Sequence, residues 1–370
     1  KRYEDWDNQL RYTKNAILAN PLKLLSTFHY DPRRWQAAGG HEEAFREVGD
    51  KGLFLGFKIY TAQGYRPWDI YRLPILKDFY KRCEKEKIPV MNHCTPQGAH
   101  TIDWDEYEEF YHPNDDLDPY DIKGKEARQN TARYRKDPAV RDAGDKTPDS
   151  YFKTHFISPK AWIPVLEANP DLSLCLAHFG GNKALGRKWG EEIIELMKTY
   201  PNLHADISSS FTNSDFRDYF RGVITNGKNE HIKNRILFGS DWYMIVANDD
   251  GYPREYDEYC STAKAALDTY DTSLWPRFSL VNPIRFYRLD DNKQLKRIAE
   301  NIIEARQETI TFKVKTVDNK GKTVIVDETL PALFDKEILD IRKEVEMIRR
   351  VREIHENYWK TGAFNMKGCL

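Results

Sequence analysis

The sequence predicts an α/β protein built like a (β/α)8 TIM-type barrel, and two observations carry that expectation. Short hydrophobic runs alternate with amphipathic helical segments through most of the chain, the pattern of parallel strands covered by helices. Four runs also carry a metal-competent side chain at or near their ends: Gly56-Phe57-Lys58-Ile59-Tyr60, Ile88-Pro89-Val90-Met91-Asn92-His93, Leu174-Cys175-Leu176-Ala177-His178 and Ile236-Leu237-Phe238-Gly239-Ser240-Asp241. The C-terminal strand ends of such a barrel are where groups that do chemistry are gathered.

Taken in order, Tyr3–Asn20 reads as a helix, Leu22–Tyr30 as a strand and Gly39–Lys51 as a helix. Leu53–Tyr60 is the next strand, Pro74–Lys87 an amphipathic helix, and Ile88–Cys94 a strand. The rhythm then breaks at Thr101–His155, a long polar stretch crowded with Asp, Glu, Tyr, Lys and Arg. Loops of this length are usually functional, and one placed directly after the His93 strand reads as a lid over the catalytic face. Alternation resumes where Ser158-Pro159 supplies an N-cap and first-turn proline for a helix to Asn169. Leu172–His178, Leu203–Ser208 and Ile236–Asp241 read as strands, with helices at Glu191–Tyr200, Tyr256–Tyr270 and Leu295–Arg306.

The last part differs in kind. Ile310, Phe312 and Val314 alternate, Asp318-Asn319-Lys320-Gly321 supplies a turn, and Val324-Ile325-Val326 follows, which is a β-hairpin pattern. Asp335–Trp359 is a charged helix with one apolar stripe through Ile338, Ile341, Val345, Ile348, Val351 and Ile354. That stripe must pack on the barrel or on a second subunit. The expected organisation is therefore a barrel over residues 1–306, with 101–155 as its lid, and a hairpin-plus-helix appendage over 307–370 that favours a homo-oligomer.

Length and composition suit this partition. A chain of 370 residues, 40% hydrophobic and 31% charged, can bury a large core. A formal net charge of −1 gives no electrostatic case for binding nucleic acid or a membrane. The expected partner is a small-molecule substrate. No run is long and apolar enough to span a bilayer. The five cysteines are scattered without a CxxC pair, which suits reduced thiols in a cytoplasmic protein, and Cys94 reads as a buried structural thiol. No phosphate-binding or nucleophile-elbow motif is present, so nucleotide-dependent and serine-hydrolase chemistry has no support.

Imidazoles and a carboxylate at one barrel mouth suit a borderline divalent ion, Zn2+ first and Mn2+ as the alternative. Such an ion acidifies water and polarises a substrate oxygen, and a carboxylate beside that water can move its proton. The order of these residues resembles the amidohydrolase superfamily, in its amidohydrolase-related branch of small-acid hydrolases, lactonases and non-oxidative decarboxylases. The similar segments include Phe28-His29-Tyr30-Asp31-Pro32-Arg33-Arg34, Leu176-Ala177-His178-Phe179-Gly180-Gly181, Asn202-Leu203-His204-Ala205-Asp206, Ile236-Leu237-Phe238-Gly239-Ser240-Asp241-Trp242 and Asn282-Pro283 with Arg285-Phe286, besides the Lys58 and His93 strands.

The resemblance implies that His93, His178 and Asp241 sit on the fifth, sixth and eighth strands. His93 would then be a metal ligand, His178 a ligand or the acid/base imidazole, and Asp241 a ligand that also shuttles protons. Lys58 falls where two-metal branches carry a carboxylated, bridging lysine; in one-metal members it need not bind metal. Arg66 and Arg254 follow the Lys58 and Asp241 strands and are candidates to pair a substrate carboxylate, with Trp242 walling the pocket and Asp206 standing behind the ligands. His29, His155 and His204 read as packed or surface residues, and His100 and His112 lie in or beside the lid.

The sequence departs from the family in one respect: it contains no His-x-His pair, which the family places on its first strand. Either that strand lies upstream of Lys1, so that the barrel here is incomplete at its N-terminus, or the barrel has lost its metal. The functions in contention are a metal-dependent hydrolase of esters, lactones or amides, a metal-dependent non-oxidative decarboxylase, and a catalytically degenerate barrel acting as a binding or assembly subunit.

Overall fold

A computed structural model describes residues 6–96, 153–181, 183–241, 256–289, 293–317 and 322–361. In chain order the elements are α1 (Trp6–Ala19), β1 (Ser26–His29), α2 (Pro32–Ala37), α3 (Glu42–Val48), β2 (Phe54–Ile59), α4 (Ile75–Glu86) and β3 (Val90–His93). There follow α5 (Ile163–Ala168), β4 (Leu174–Ala177), α6 (Ala184–Thr199), β5 (Leu203–Asp206), α7 (Ser214–Ile224), β6 (Ile236–Leu237) and α8 (Tyr256–Tyr270). The chain closes with α9 (Lys293–Ala305), the strands β7 (Ile310–Val317) and β8 (Thr323–Leu330), and α10 (Asp335–Thr361).

Strands β1 to β6 form one parallel sheet in sequence order, as in the wall of a barrel, with helices between them. Among the described residues β1 and β6 are its edges. If the His93 strand is the fifth, these are the third to the eighth. The expected lid lies almost wholly outside the described residues.

The chain divides into two compact units, one of residues 1–28, 42–57 and 287–370, the other of residues 29–41 and 58–286. The expected boundary at 306 falls inside the first of these. In that unit an aromatic core joins Trp6, Phe28 and Phe54 edge to face, with Phe45 against Phe57. Helix α9 buries Leu295, Ile298, Ala299, Ile302 and Ile303, the spacing of one helical face. From its other side Arg297 donates to the carbonyls of Gly52 and Phe54. The apolar stripe of α10 buries Ile341 and Val345, and Arg342 reaches Glu300 of α9 at 2.9 Å. The β7–β8 hairpin is antiparallel, pairing Ile310 with Leu330 and Val317 with Thr323.

The second unit holds the site. All four residues of β4 are buried, as expected of a parallel strand covered on both faces. Helix α4 buries Leu76, Phe79, Tyr80 and Cys83 and ends at Lys87, whose left-handed backbone (φ 57°) returns its N–H to the Cys83 and Glu84 carbonyls. Ser158 caps the next helical segment by accepting from the Ala161 N–H, although the first turn is a tight 3-10 turn before α5 begins. Helix α7, unanticipated from the sequence, is capped by Asn213 and buries Phe216, Phe220, Val223 and Ile224. Strand register places His93 opposite Ala177 and Asp206 opposite Leu237, so β3, β4, β5 and β6 end on one rim.

Candidate active site

The rim is built from strand ends and the turns just beyond them. Asn92, fully buried on β3, accepts from the Thr61 N–H at 3.2 Å and donates to the His93 carbonyl at 2.6 Å. It thereby ties the end of β3 to the turn after β2. His93 follows, buried, with the Tyr60 ring stacked on its own at 4.5 Å between centroids.

His178 comes directly after β4 and has a left-handed backbone (φ 74°). Phe179, Gly180 and Gly181 continue with φ values of 46°, 79° and 89°. This run lies against α6 through two glycines: a Cβ on Gly186 would come within 2.3 Å of the Gly180 carbonyl oxygen, and one on Gly190 within 3.1 Å of the Phe179 ring. The turn delivers His178 Nε2 to 3.0 Å from His93 Nδ1.

Asp206, at the buried end of β5, anchors the arrangement. Its Oδ1 accepts from the His178 backbone N–H at 2.9 Å, from the Ser208 N–H at 2.9 Å, and from the Ser208 hydroxyl. Ser208 Oγ in turn lies 3.0 Å from His178 Nδ1. Asp206 was expected behind the ligands; Asn92 and Ser208 were missed. For Ser208 a usable signal existed in Asp206-Ile207-Ser208 directly after a strand, because a carboxylate readily accepts from the N–H and hydroxyl two residues on.

Lys58 lies on β2, and burial lowers its pKa, opposed by the carboxylates of Asp206 and Asp241 and by Cys175. Asp241 acts on Tyr60 as well, adding to the burial that raises the phenol pKa. The carboxylate is therefore in the electrostatic neighbourhood of Lys58 and Tyr60, while Tyr60 stacks on His93.

Among the described residues no group of three or more His, Cys, Asp or Glu side chains is placed to hold a metal. Strand β6 ends at Leu237, shorter than the expected Ile236–Asp241, and Asp241 sits four residues on, exposed, with a left-handed backbone (φ 50°). Arg66 is buried, with its guanidinium 3.0 Å from the Asp69 carboxylate. Arg254 and Trp242 lie outside the described residues, as do His100 and His112. His204 packs against Phe286, with ring centroids 5.0 Å apart. The Cys94 thiol is buried and donates to the Ile157 carbonyl.

The family model described as Amidohydrolase matches residues 16–289. The chain belongs to the amidohydrolase family. Amidohydrolases are enzymes that are generally metal-dependent. No curated protein matches the sequence. Among solved structures the chain is similar to 2,6-dihydroxybenzoate decarboxylase from Rhizobium, at 15% identity over 77% of each chain with a TM-score of 0.42. It is also similar to an amidohydrolase from Burkholderia multivorans with bound zinc, at 12% identity over 71% of this chain and 98% of that one, with a TM-score of 0.28. Among the described residues no helix is long and apolar enough to cross a membrane.

Proposed function

We propose that this amidohydrolase is a metal-dependent hydrolase of a small ester, lactone or amide, with His93 and His178 holding a divalent ion and Asp241 moving the proton of the attacking water. The observation that carries the reading is the approach of His178 Nε2 to within 3.0 Å of His93 Nδ1 at the ends of adjacent parallel strands. Two ligands on a tetrahedral zinc, with bonds of about 2.0–2.1 Å, lie roughly 3.3 Å apart. The imidazole pair is close to that spacing, and its chemistry suits Zn2+ or Mn2+. Asp241 supplies a carboxylate in the same neighbourhood.

Bound there, the ion would polarise a carbonyl oxygen and acidify a water molecule. Asp241 would accept that water's proton at a carboxylate oxygen and pass it to the leaving group. Its exposed position gives it contact with the solvent that provides the water. Lys58, whose pKa is lowered by burial, adds positive charge in the neighbourhood of Asp241 when protonated. Tyr60 fixes the plane of the His93 ring and forms an aromatic wall.

The test is turnover by the full chain, loaded with Zn2+ or Mn2+, on small esters, lactones and amides in 18O-labelled water. Label appearing in the product carboxylate is the expected result. Carbon dioxide release from an aromatic or unsaturated acid would instead make the protein a decarboxylase. Neither bound metal nor turnover would point to a degenerate barrel used for binding.

A further inference from the structure

The His178 ring has two nitrogens, and which one carries the hydrogen decides what the ring can do toward His93. Nδ1 has two oxygen neighbours, Ser208 Oγ at 3.0 Å and the Ser208 backbone carbonyl at 3.4 Å. A carbonyl only accepts. The hydroxyl can do either, but its single hydrogen is directed to Asp206 Oδ1, which as a carboxylate only accepts. Toward His178 the hydroxyl therefore presents a lone pair. With acceptors on both sides, Nδ1 must hold the N–H. A neutral imidazole has only one, so Nε2 is left with a lone pair directed at His93 Nδ1, 3.0 Å away.

We infer that Ser208 is a positioning residue: under the control of Asp206 it locks His178 in the Nδ1–H tautomer, with the Nε2 lone pair facing His93. This deepens the proposed function, since it assigns how His178 is prepared as a donor, and it rests on the reading that His178 serves the site. The same Asp206 oxygen takes the backbone N–H of His178, so one carboxylate governs both the backbone and, through Ser208, the ring. Ser210 Oγ lies 3.3 Å from the Ser208 carbonyl and 3.5 Å from the His178 carbonyl, within reach of either with its single hydrogen.

The experiment is 15N NMR of the full, metal-free chain carrying 15N-labelled histidine, at a pH where His178 is neutral, with His178→Gln used for assignment. Wild-type His178 should show a protonated-type Nδ1 and a lone-pair-type Nε2; the reverse pattern overturns the inference. Ser208→Ala should move the ring toward the Nε2–H tautomer and weaken Zn2+ binding in chelator competition by about 10- to 100-fold, the usual effect of losing a partner behind a metal ligand. Ser208→Thr keeps the hydroxyl and should preserve both readouts. An unchanged tautomer and unchanged Zn2+ affinity in Ser208→Ala would overturn the inference.

Should Ser208→Ala fail to fold, Asp206→Ala provides a second handle. It removes the acceptor of the Ser208 hydroxyl hydrogen, freeing that hydrogen to turn toward Nδ1, so the tautomer should shift there too; retention of the wild-type pattern counts against the inference. The two readings fail separately. A wild-type protein with the Nδ1–H tautomer but no affinity for Zn2+ removes the hydrolase proposal and leaves the tautomer assignment standing.

Discussion

Replacing Gly186 by alanine tests whether the turn at residues 178–181 is held in place by α6. A Cβ at position 186 would meet the Gly180 oxygen at 2.3 Å, the Gly181 oxygen at 2.8 Å and the Gly181 carbonyl carbon at 2.9 Å, whereas ordinary contact begins at 3.4 Å. All three atoms are backbone, so no side chain can swing away to make room. Relief requires the turn and helix to separate by about 1 Å, and a 1 Å misplacement near a catalytic group can cost on the order of 100-fold in rate. Overpacking of this kind costs about 1–3 kcal/mol, against a helix-propensity gain of at most about 1 kcal/mol from removing glycine. The net expectation is a destabilisation of about 1–2 kcal/mol in urea unfolding, with a loss of metal affinity. Gly222→Ala on α7 is the control, because a Cβ there meets nothing within 4 Å. It should be neutral or stabilising by about 0.4–1 kcal/mol. Gly186→Ala at least as stable as wild type, with metal binding intact, would refute the reasoning.

Asp241→Asn should keep the fold and lower turnover by about 100- to 10,000-fold, because the amide is nearly isosteric but cannot take the water's proton; near-native kcat would remove Asp241 from the mechanism. Asp206→Ala leaves the buried N–H groups of His178 and Ser208 without their acceptor, at about 1–3 kcal/mol each, and urea unfolding should show a loss of that order. Burial pushes the His204 pKa from 6.5 down to about 4. Below pH 6.5 the unfolded chain takes up a proton that the folded one refuses, so stability should fall by about 1–3 kcal/mol as the pH drops from 6.5 toward 4. His204→Gln should flatten unfolding free energy across that window, and an unchanged slope would assign the acid sensitivity elsewhere.

The strand framework was legible because burial leaves a strong mark on composition. Leu174-Cys175-Leu176-Ala177 is apolar throughout and is buried throughout. The charged helix after residue 335 was legible for the same reason, its stripe being periodic and now found to bury Ile341 and Val345. Helix α7 escaped notice although its apolar residues at 216, 220, 223 and 224 are regularly spaced, because Asp215, Arg217, Asp218 and Arg221 are interleaved with them. At the site, strand ends could be read and hydrogen-bond networks could not. Asn92 and Ser208 are ordinary polar residues in the sequence; Asn92 meets Thr61 only because β3 ends beside the turn after β2, and Ser208 meets His178 only because β5 lies beside β4. The last strand was over-extended for a different reason: Ile236–Asp241 reads as one strand, but β6 covers only its first two residues.

Sheet geometry explains why His178 needs its unusual backbone. His93 is in register with Ala177, and residues paired across parallel strands direct their side chains to the same face. The next residue along β4 would point to the opposite face, which would turn the His178 imidazole away from His93. An extended residue has φ near about −120°. At φ 74° the Cα–Cβ bond of His178 is turned by roughly half a revolution relative to the incoming strand, which brings the side chain back to the His93 face. A left-handed backbone is costly at a residue bearing a Cβ, and several features support it here. Asp206 takes the displaced backbone N–H, Gly180 and Gly181 continue the turn with positive φ, and Gly186 lets α6 approach the turn closely. The left-handed turn, rather than the strand itself, is therefore what pairs the two imidazoles.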